Sequence, residues 1–209
     1  MNDNDLHIAL LVAEEMPQQI FDMYEAELRT EGLKLEIDKF PFQTPRACLE
    51  WALPTIVGVY ILKPYFDGFL KEMSKDHYNV LKNWLKKTAT DLRTIRVYTA
   101  TASQSKYKNK SENTQSKVFS ITSISNTGEH LKFMFDDKLN DEDWKVGIEL
   151  LLNLLEEHFS NGIDDRLTIE IKNNESGREI FCRLKTGDLD WEILDYRKII
   201  EKEMQQRSE

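Results

Sequence analysis

Apolar residues in the first hundred positions occur in short, nearly uninterrupted runs. Residues 55–62 are uncharged, rich in β-branched side chains and bounded by Pro54 and Pro64. A run of this length and composition predicts a buried, central strand rather than a helix. Two further runs, residues 7–13 and 33–40, predict strands as well, the second with one face more exposed because apolar and charged residues alternate.

Helically spaced residues separate and follow these runs. Tyr24 and Leu28 lie on one side of a predicted helix that Gly32 is expected to end in the left-handed conformation. A second amphipathic helix is predicted over residues 75–92. Strands that alternate with helices are typical of parallel sheets with crossover connections. Residues 1–102 are therefore predicted to be α/β, a small parallel sheet with flanking helices.

The second half of the chain has a different pattern. Residues 103–116 are polar and predict a mobile loop. Beyond it, alternating residues predict two antiparallel hairpins, 117–136 and 166–185, on either side of a helix capped by Asn140. Residues 117–209 are thus expected to form an antiparallel α+β hairpin-helix-hairpin unit that packs with the first part.

Composition and charge limit the partners and the cellular location that we expect for this chain. The 209 residues carry a net charge of −9, which argues against general affinity for nucleic acid or anionic membranes. The apolar stretch 51–62 contains a proline and is too short to span a bilayer as a helix. Cys48 and Cys182 lie far apart, and the acidic amino terminus is unlike a signal peptide. We therefore expect reduced thiols and a cytoplasmic location.

Residues 7–73 follow a recognisable order of motifs. The first predicted strand ends in Glu14, and the sequence EGLKLEID at residues 31–38 leads through a glycine to a strand that ends in aspartate. Residues 51–65 then combine a β-rich strand with a tyrosine shortly after it. In this order the chain resembles the TIR-domain family, although other small doubly wound sheets, such as the flavodoxin-like ones, share the pattern.

The resemblance implies a candidate catalytic residue. TIR enzymes that cleave NAD use a glutamate on the helix after the third strand, which implies Glu72, with Glu14 and Lys63 near the nucleotide. The sequence departs from the motif of these enzymes in three respects: Leu62 replaces a serine, a Trp-Cys pair is missing, and Glu72 lies two positions earlier than in the motif. Two positions turn a side chain by about 200° around a helix.

We therefore favour an interaction or signalling module without catalysis of its own, and the resemblance implies a role in a bacterial stress or defence system. A protein partner or self-association is expected, and the sequence identifies no cofactor. Hydrolysis of NAD or another nucleotide by Glu72 is the alternative, so enzymatic activity stays open.

A third hypothesis is a nuclease that depends on Mg²⁺. Asp165 precedes Glu170 and Lys172, which resembles arrangements in which carboxylates hold the metal and a lysine steadies the attacking water. On a strand, Glu170 and Lys172 would lie on the same face because side chains alternate. Zinc-type cysteine or histidine spacings do not occur in the sequence, and no metal site is predicted for the favoured function.

Overall fold

The computed structural model describes residues 6–41, 55–69, 75–95, 115–162, 165–174, 177–185 and 187–195. Within them the strands are β1 Ile8–Ala13, β2 Leu35–Phe40, β3 Val57–Ile61, β4 Gln115–Ile124, β5 His130–Asp136, β6 Glu179–Leu184 and β7 Trp191–Leu194. The α-helices are α1 Gln18–Leu28, α2 Lys75–Leu92, α3 Asp141–Asn161 and α4 Arg166–Lys172, and a π-helix covers Tyr65–Phe69. Glu72 and most of the predicted loop at 103–116 lie outside the described residues.

The described strands form one mixed sheet in the order β2-β1-β3-β4-β5-β6-β7. The pairs β1–β2, β3–β4 and β5–β6 are parallel, whereas β1–β3, β4–β5 and β6–β7 are antiparallel. Parallel neighbours need a crossover connection. Here α1 lies in the first crossover, the π-helix and α2 in the second, and α3 and α4 in the third. The chain is therefore a mixed α/β protein, and its sheet is continuous across both halves of the sequence.

The proline-bounded apolar run is a strand, as predicted. β3 pairs with β1 on one side and with β4 on the other. Its Val57, Val59 and Ile61 side chains are at most 1% exposed. The uncharged sequence of this run thus corresponds to a strand in the interior of the sheet.

The parallel arrangement predicted for residues 1–102 is wrong for β3, which runs antiparallel to β1. The first five strands do have the spatial order 2-1-3-4-5 of flavodoxin-like sheets. In this chain, however, β3 and β4 run opposite to β1 and β2. An apolar strand is buried equally well in either direction, so its composition carries no information on whether its neighbours are parallel.

Gly32 does not end α1 as predicted. The helix already ends at Leu28, and Arg29 after it has an extended backbone. Gly32 has φ +79° in the turn that leads into β2. Gly32 supplies the left-handed residue of this turn, and it lies two positions beyond the place directly after Arg29 where a glycine that caps the helix would stand.

The first half of the predicted hairpin-helix-hairpin unit is confirmed. β4 and β5 form an antiparallel pair. Helix α3 starts after Asn140, whose side-chain oxygen accepts a hydrogen bond of 2.9 Å from the backbone N–H of Asp143. Gly162 follows the last helical residue with φ +74°. These residues are a capping pair that the sequence reveals directly.

The second predicted hairpin is wrong because residues 166–172 form helix α4. Its Leu167, Thr168 and Ile171 are buried, at helical spacing, whereas Ile169 is 52% exposed. The carboxylate of Asp165 accepts hydrogen bonds from the backbone N–H groups of Leu167 and Thr168 and caps the helix. Alternating apolar residues therefore did not mark a strand here. The antiparallel partner of β6 is β7.

The two faces of the sheet differ in chemistry. On one face, cross-strand neighbours form the apolar row Leu10, Val59, Ile121, Phe133 and Cys182. This row belongs to the main hydrophobic core together with residues of α1, α2 and α3. We call it the core face, and the opposite side of the sheet the second face. Adjacent strands place paired residues on the same face, so the register fixes which side chains can meet on each one.

Candidate functional site

The structure places Glu14 and Lys63 at opposite ends of two adjacent antiparallel strands, β1 and β3. Glu14 follows β1, and its backbone N–H donates to the carbonyl of Phe40 at the end of β2. Lys63 follows β3, where the backbone N–H of Leu62 donates to the carbonyl of His7, just before β1. In the register of β1 and β3, Lys63 lies eight residues along from the position opposite Glu14, and a strand rises about 3.3 Å per residue, so the two backbones are about 26 Å apart. Both side chains are exposed. The structure therefore does not bring these two predicted nucleotide contacts together.

The predicted nuclease residues do not share a face. Glu170 and Lys172 lie on helix α4, where two positions differ by about 200°. Glu170 forms an ion pair of 2.8 Å with Arg166, and Lys172 is exposed. Asp165 is buried at the start of the helix. Among the described residues, no three His, Cys, Asp or Glu side chains are placed to hold a metal ion together.

His158, Asp165 and Thr168 form a buried network that the sequence analysis missed. His158 Nδ1 lies 2.9 Å from Asp165 Oδ2, and the Thr168 hydroxyl donates to Asp165 Oδ1 at 2.5 Å. Burial alone would raise the pKa of Asp165, but the hydrogen bonds from Thr168 and His158 hold it below its usual range. Two features of the sequence could have indicated this network. Asp165 precedes an apolar run, and His158 lies in the buried stripe of α3.

This network has the residue types of a catalytic triad, but its hydrogen bonds all serve to hold the fold together. The backbone N–H of Asn126 donates to His158 Nε2 at 3.0 Å, so Nε2 is an acceptor and Nδ1 carries the proton that Asp165 binds. The Asn126 side chain also donates to the backbone carbonyls of His158 and Gly162. The imidazole therefore has no nitrogen left for a substrate. The network fastens the β4–β5 turn and the start of α4 to the end of α3.

A second polar cluster crosses the second face of the sheet. In register, Tyr60 pairs with Thr122, Thr122 with Lys132, and Lys132 with Phe181. Thr122 is buried, and Tyr60 and Lys132 are half-buried. We call Tyr60, Thr122 and Lys132 the polar row. It combines a phenol, a hydroxyl and an amine on three adjacent strands.

Burial and charge alter the acid-base properties of the polar row. Burial raises the pKa of Tyr60, the nearby charge of Glu179 raises it further, and a hydrogen bond with Thr122 acts in the opposite direction. Burial lowers the pKa of Lys132 to about 8, although attraction to Glu179 partly opposes this change. Shifted pKa values of neighbouring groups are typical of functional sites. The row is therefore our candidate functional site.

The surroundings of the polar row are hydroxyl-rich on one side and apolar on the other. Towards β3, the hydroxyls of Thr55 and Ser120 lie 2.7 Å apart. Towards β7, the side chains of Met134, Phe181 and Leu194 form a buried cluster separate from the main core. The apolar side explains why the ammonium of Lys132 is poorly solvated. Sequence alone could not reveal this, because the alternation in β5 predicts only which residues face away from Leu131 and Phe133.

Lys132 is expected to reduce the stability of the folded state at neutral pH. Because its pKa falls from 10.5 to about 8 on folding, the folded chain binds this proton less well than the unfolded chain. We expect Lys132→Met to raise the free energy of unfolding by about 1–2 kcal/mol at pH 7, a value reduced for partial solvent access. The gain should shrink between pH 8 and 10.5. Urea unfolding followed by circular dichroism tests this.

Lys172→Met is the matched control, since Lys172 is exposed. This substitution should change the free energy of unfolding by less than about 0.5 kcal/mol, both at pH 7 and at about pH 10. A Lys132→Met variant that is less stable than the wild type at pH 7 would show that the ammonium is well compensated in the folded protein.

The fold and the candidate site together define a mixed α/β protein with a polar row on one face of the sheet that the seven described strands form. Comparisons with protein-family models, with curated proteins and with solved structures found no match to this chain. Of the helices in the described ranges, none has both the length and the apolar character needed to cross a membrane.

Proposed function

We propose that the chain is a TIR-like interaction or signalling module, without catalysis of its own, that binds its ligand or partner at the polar row. The observation that carries this proposal is the presence of Tyr60, Thr122 and Lys132 side by side on a partly buried sheet face. An amine kept where burial disfavours its charge lowers stability, and such costs are typical of residues retained for binding.

The geometry gives less support to hydrolysis of NAD. That hypothesis needs Glu72 together with contacts from Glu14 and Lys63, but Glu14 and Lys63 lie at opposite ends of the sheet. At most one of them can line a given small pocket. The TIR resemblance supports the module independently of the enzyme, since the sequence departs from the catalytic pattern around Glu72.

Incubation of the purified protein with NAD separates the two functions. We expect no release of nicotinamide above that of a buffer blank, as measured by chromatography over several hours at high protein concentration. Release that Glu72→Ala abolishes and Glu157→Ala leaves unchanged would overturn the proposal. Glu157 is a suitable control because it is an exposed glutamate on α3.

A further inference from the structure

Strand β2 lies at one edge of the sheet, and its outer side is regular enough to accept another strand. Among the described strands its one neighbour is β1, with which it pairs over six consecutive residues, Leu35–Phe40. The sequence of β2 contains no proline. A proline, a bulge or a very short strand commonly blocks pairing at a sheet edge. Strand β2 has none of these three features.

The backbone groups of three β2 residues point away from the sheet. The carbonyls of Lys34 and Phe40 accept hydrogen bonds from backbone N–H groups on the β1 side. Backbone groups of successive strand residues point alternately to the two sides of a strand. The N–H and C=O groups of Leu35, Ile37 and Lys39 therefore face outward. They are the donors and acceptors that an added strand needs.

The side chains along this edge differ in charge between the two faces. Glu36 and Asp38 are exposed on the second face. Neither carboxylate has an ion pair or a side-chain hydrogen bond in the described part of the chain. The one lysine of the strand, Lys39, lies on the core face, where it donates to Gln18 and stands 4.7 Å from the ring centroid of Phe21. The second face of the edge therefore carries two unpaired negative charges.

We infer that the β2 edge binds an extended segment of a partner protein that has lysine or arginine at alternate positions. This inference goes beyond the proposed function and does not depend on the polar row. In the complex, basic side chains two positions apart in the partner strand lie opposite Glu36 and Asp38. Opposite charges at cross-strand positions stabilise such pairing. The net charge of −9 on the whole chain also favours a basic partner.

The same two carboxylates disfavour a second copy of the chain at this edge. Residues opposite one another in an antiparallel pair lie on the same face, so two β2 strands related by two-fold symmetry have two registers that pair five residues of each. One register sets Glu36 against Asp38 of the copy, and the other sets Asp38 against Asp38. Like charges directly opposite are destabilising. Charge on this edge therefore selects against a second copy and in favour of a basic strand.

Amide hydrogen exchange followed by NMR tests the mode of binding. The probe is a short synthetic peptide of alternating lysine and valine, blocked at both ends. On binding, the amides of Leu35, Ile37 and Lys39 should exchange at least about tenfold more slowly, because they gain hydrogen bonds. The amides of Glu36 and Asp38 should change little, since they already face β1. This alternating pattern distinguishes strand addition from binding to side chains alone.

Calorimetry with the same peptide tests the role of charge. A variant with both Glu36→Gln and Asp38→Asn should bind about fivefold more weakly, because two cross-strand ion pairs are lost. The matched control carries Glu157→Gln and Asp188→Asn, which remove the same charge from exposed positions on α3 and between β6 and β7. It should change the affinity by less than about twofold, since charges at that distance are screened. A peptide with glutamate in place of lysine should not bind.

Three results would overturn the inference: the lysine peptide binds no more tightly than the glutamate peptide, the β2 variant and the control have equal affinity, or exchange at Leu35, Ile37 and Lys39 is unchanged. Slower exchange of these amides at high protein concentration without peptide would show a second copy at the edge and would also contradict it. The NAD experiment is separate, because nicotinamide release that depends on Glu72 would overturn the proposed function and leave strand addition at β2 standing.

Discussion

Asp165→Ala is expected to lower the free energy of unfolding by about 3 kcal/mol. The change removes a helix cap worth about 1 kcal/mol and leaves the buried Nδ1–H of His158 without an acceptor, at a cost of about 2 kcal/mol. His158 is fully buried, so water cannot replace the lost carboxylate. Urea unfolding of the variant and the wild type measures the difference.

The effect of Asp165→Ala should depend on pH with a defined sign. The pKa of Asp165 is lower in the folded chain than in an unfolded one. Its contribution is therefore complete above about pH 4 and is lost as the pH falls through the folded-state pKa. Asp165→Asn keeps an acceptor for His158 and should cost less than alanine. Asp188→Ala, at an exposed site, should change stability by less than about 0.5 kcal/mol. Equal loss in both alanine variants would contradict the structural role of the network.

Trp144→Ala should have the largest effect, a loss of about 4 kcal/mol. The indole is 1% exposed, and its centroid lies 4.9 Å from that of Phe135. Its N–H donates to the carbonyl of Asp136 at 2.9 Å, and the guanidinium carbon of Arg93 lies 4.9 Å from the ring centroid. The alanine variant loses this packing, the hydrogen bond and the cation–π contact together.

Two variants of α3 make the Trp144 result interpretable. Trp144→Phe keeps an aromatic ring and should cost about half as much, which gives a folded variant if the alanine protein does not fold. Val146→Ala removes a side chain that is 39% exposed in the same helix and should cost less than about 1 kcal/mol. Unfolding in urea is followed by circular dichroism rather than by tryptophan fluorescence, because the substitutions remove a tryptophan and so change the fluorescence directly. A loss below 1 kcal/mol for Trp144→Ala would show that this side chain is dispensable.

Local signals in the sequence predicted many of the elements. Asn140 and Gly162 fixed the ends of α3, and the apolar run before Pro64 identified β3. These predictions held because a cap or a buried run acts within a few residues of itself. The orientation of β3 depends instead on the path of the chain between distant elements, and that path leaves no mark on the strand. The strand predicted over residues 166–172 was wrong although a local signal for a helix was present. Asp165 is a helix cap, but the alternation of apolar residues was given more weight.

The candidate site was harder to predict than the fold. Tyr60, Thr122 and Lys132 are 72 positions apart from first to last and meet only through the register of three strands. No spacing along the chain encodes that register. The residues that the sequence did suggest, Glu14 and Lys63, were chosen on the assumption of parallel strands, and the reversal of β3 separates them.

Because parallel and antiparallel pairs alternate, the strands do not all finish at the same end of the sheet. β1, β2, β5 and β6 finish at one end, and β3, β4 and β7 at the other. Across the end where β1 and β5 finish, these two strands are separated by β3 and β4, a gap of about 14 Å. Loops grafted after β1 and β5 would therefore act as two independent attachment points, which favours bivalent display of peptides on this scaffold over the construction of one enclosed cleft.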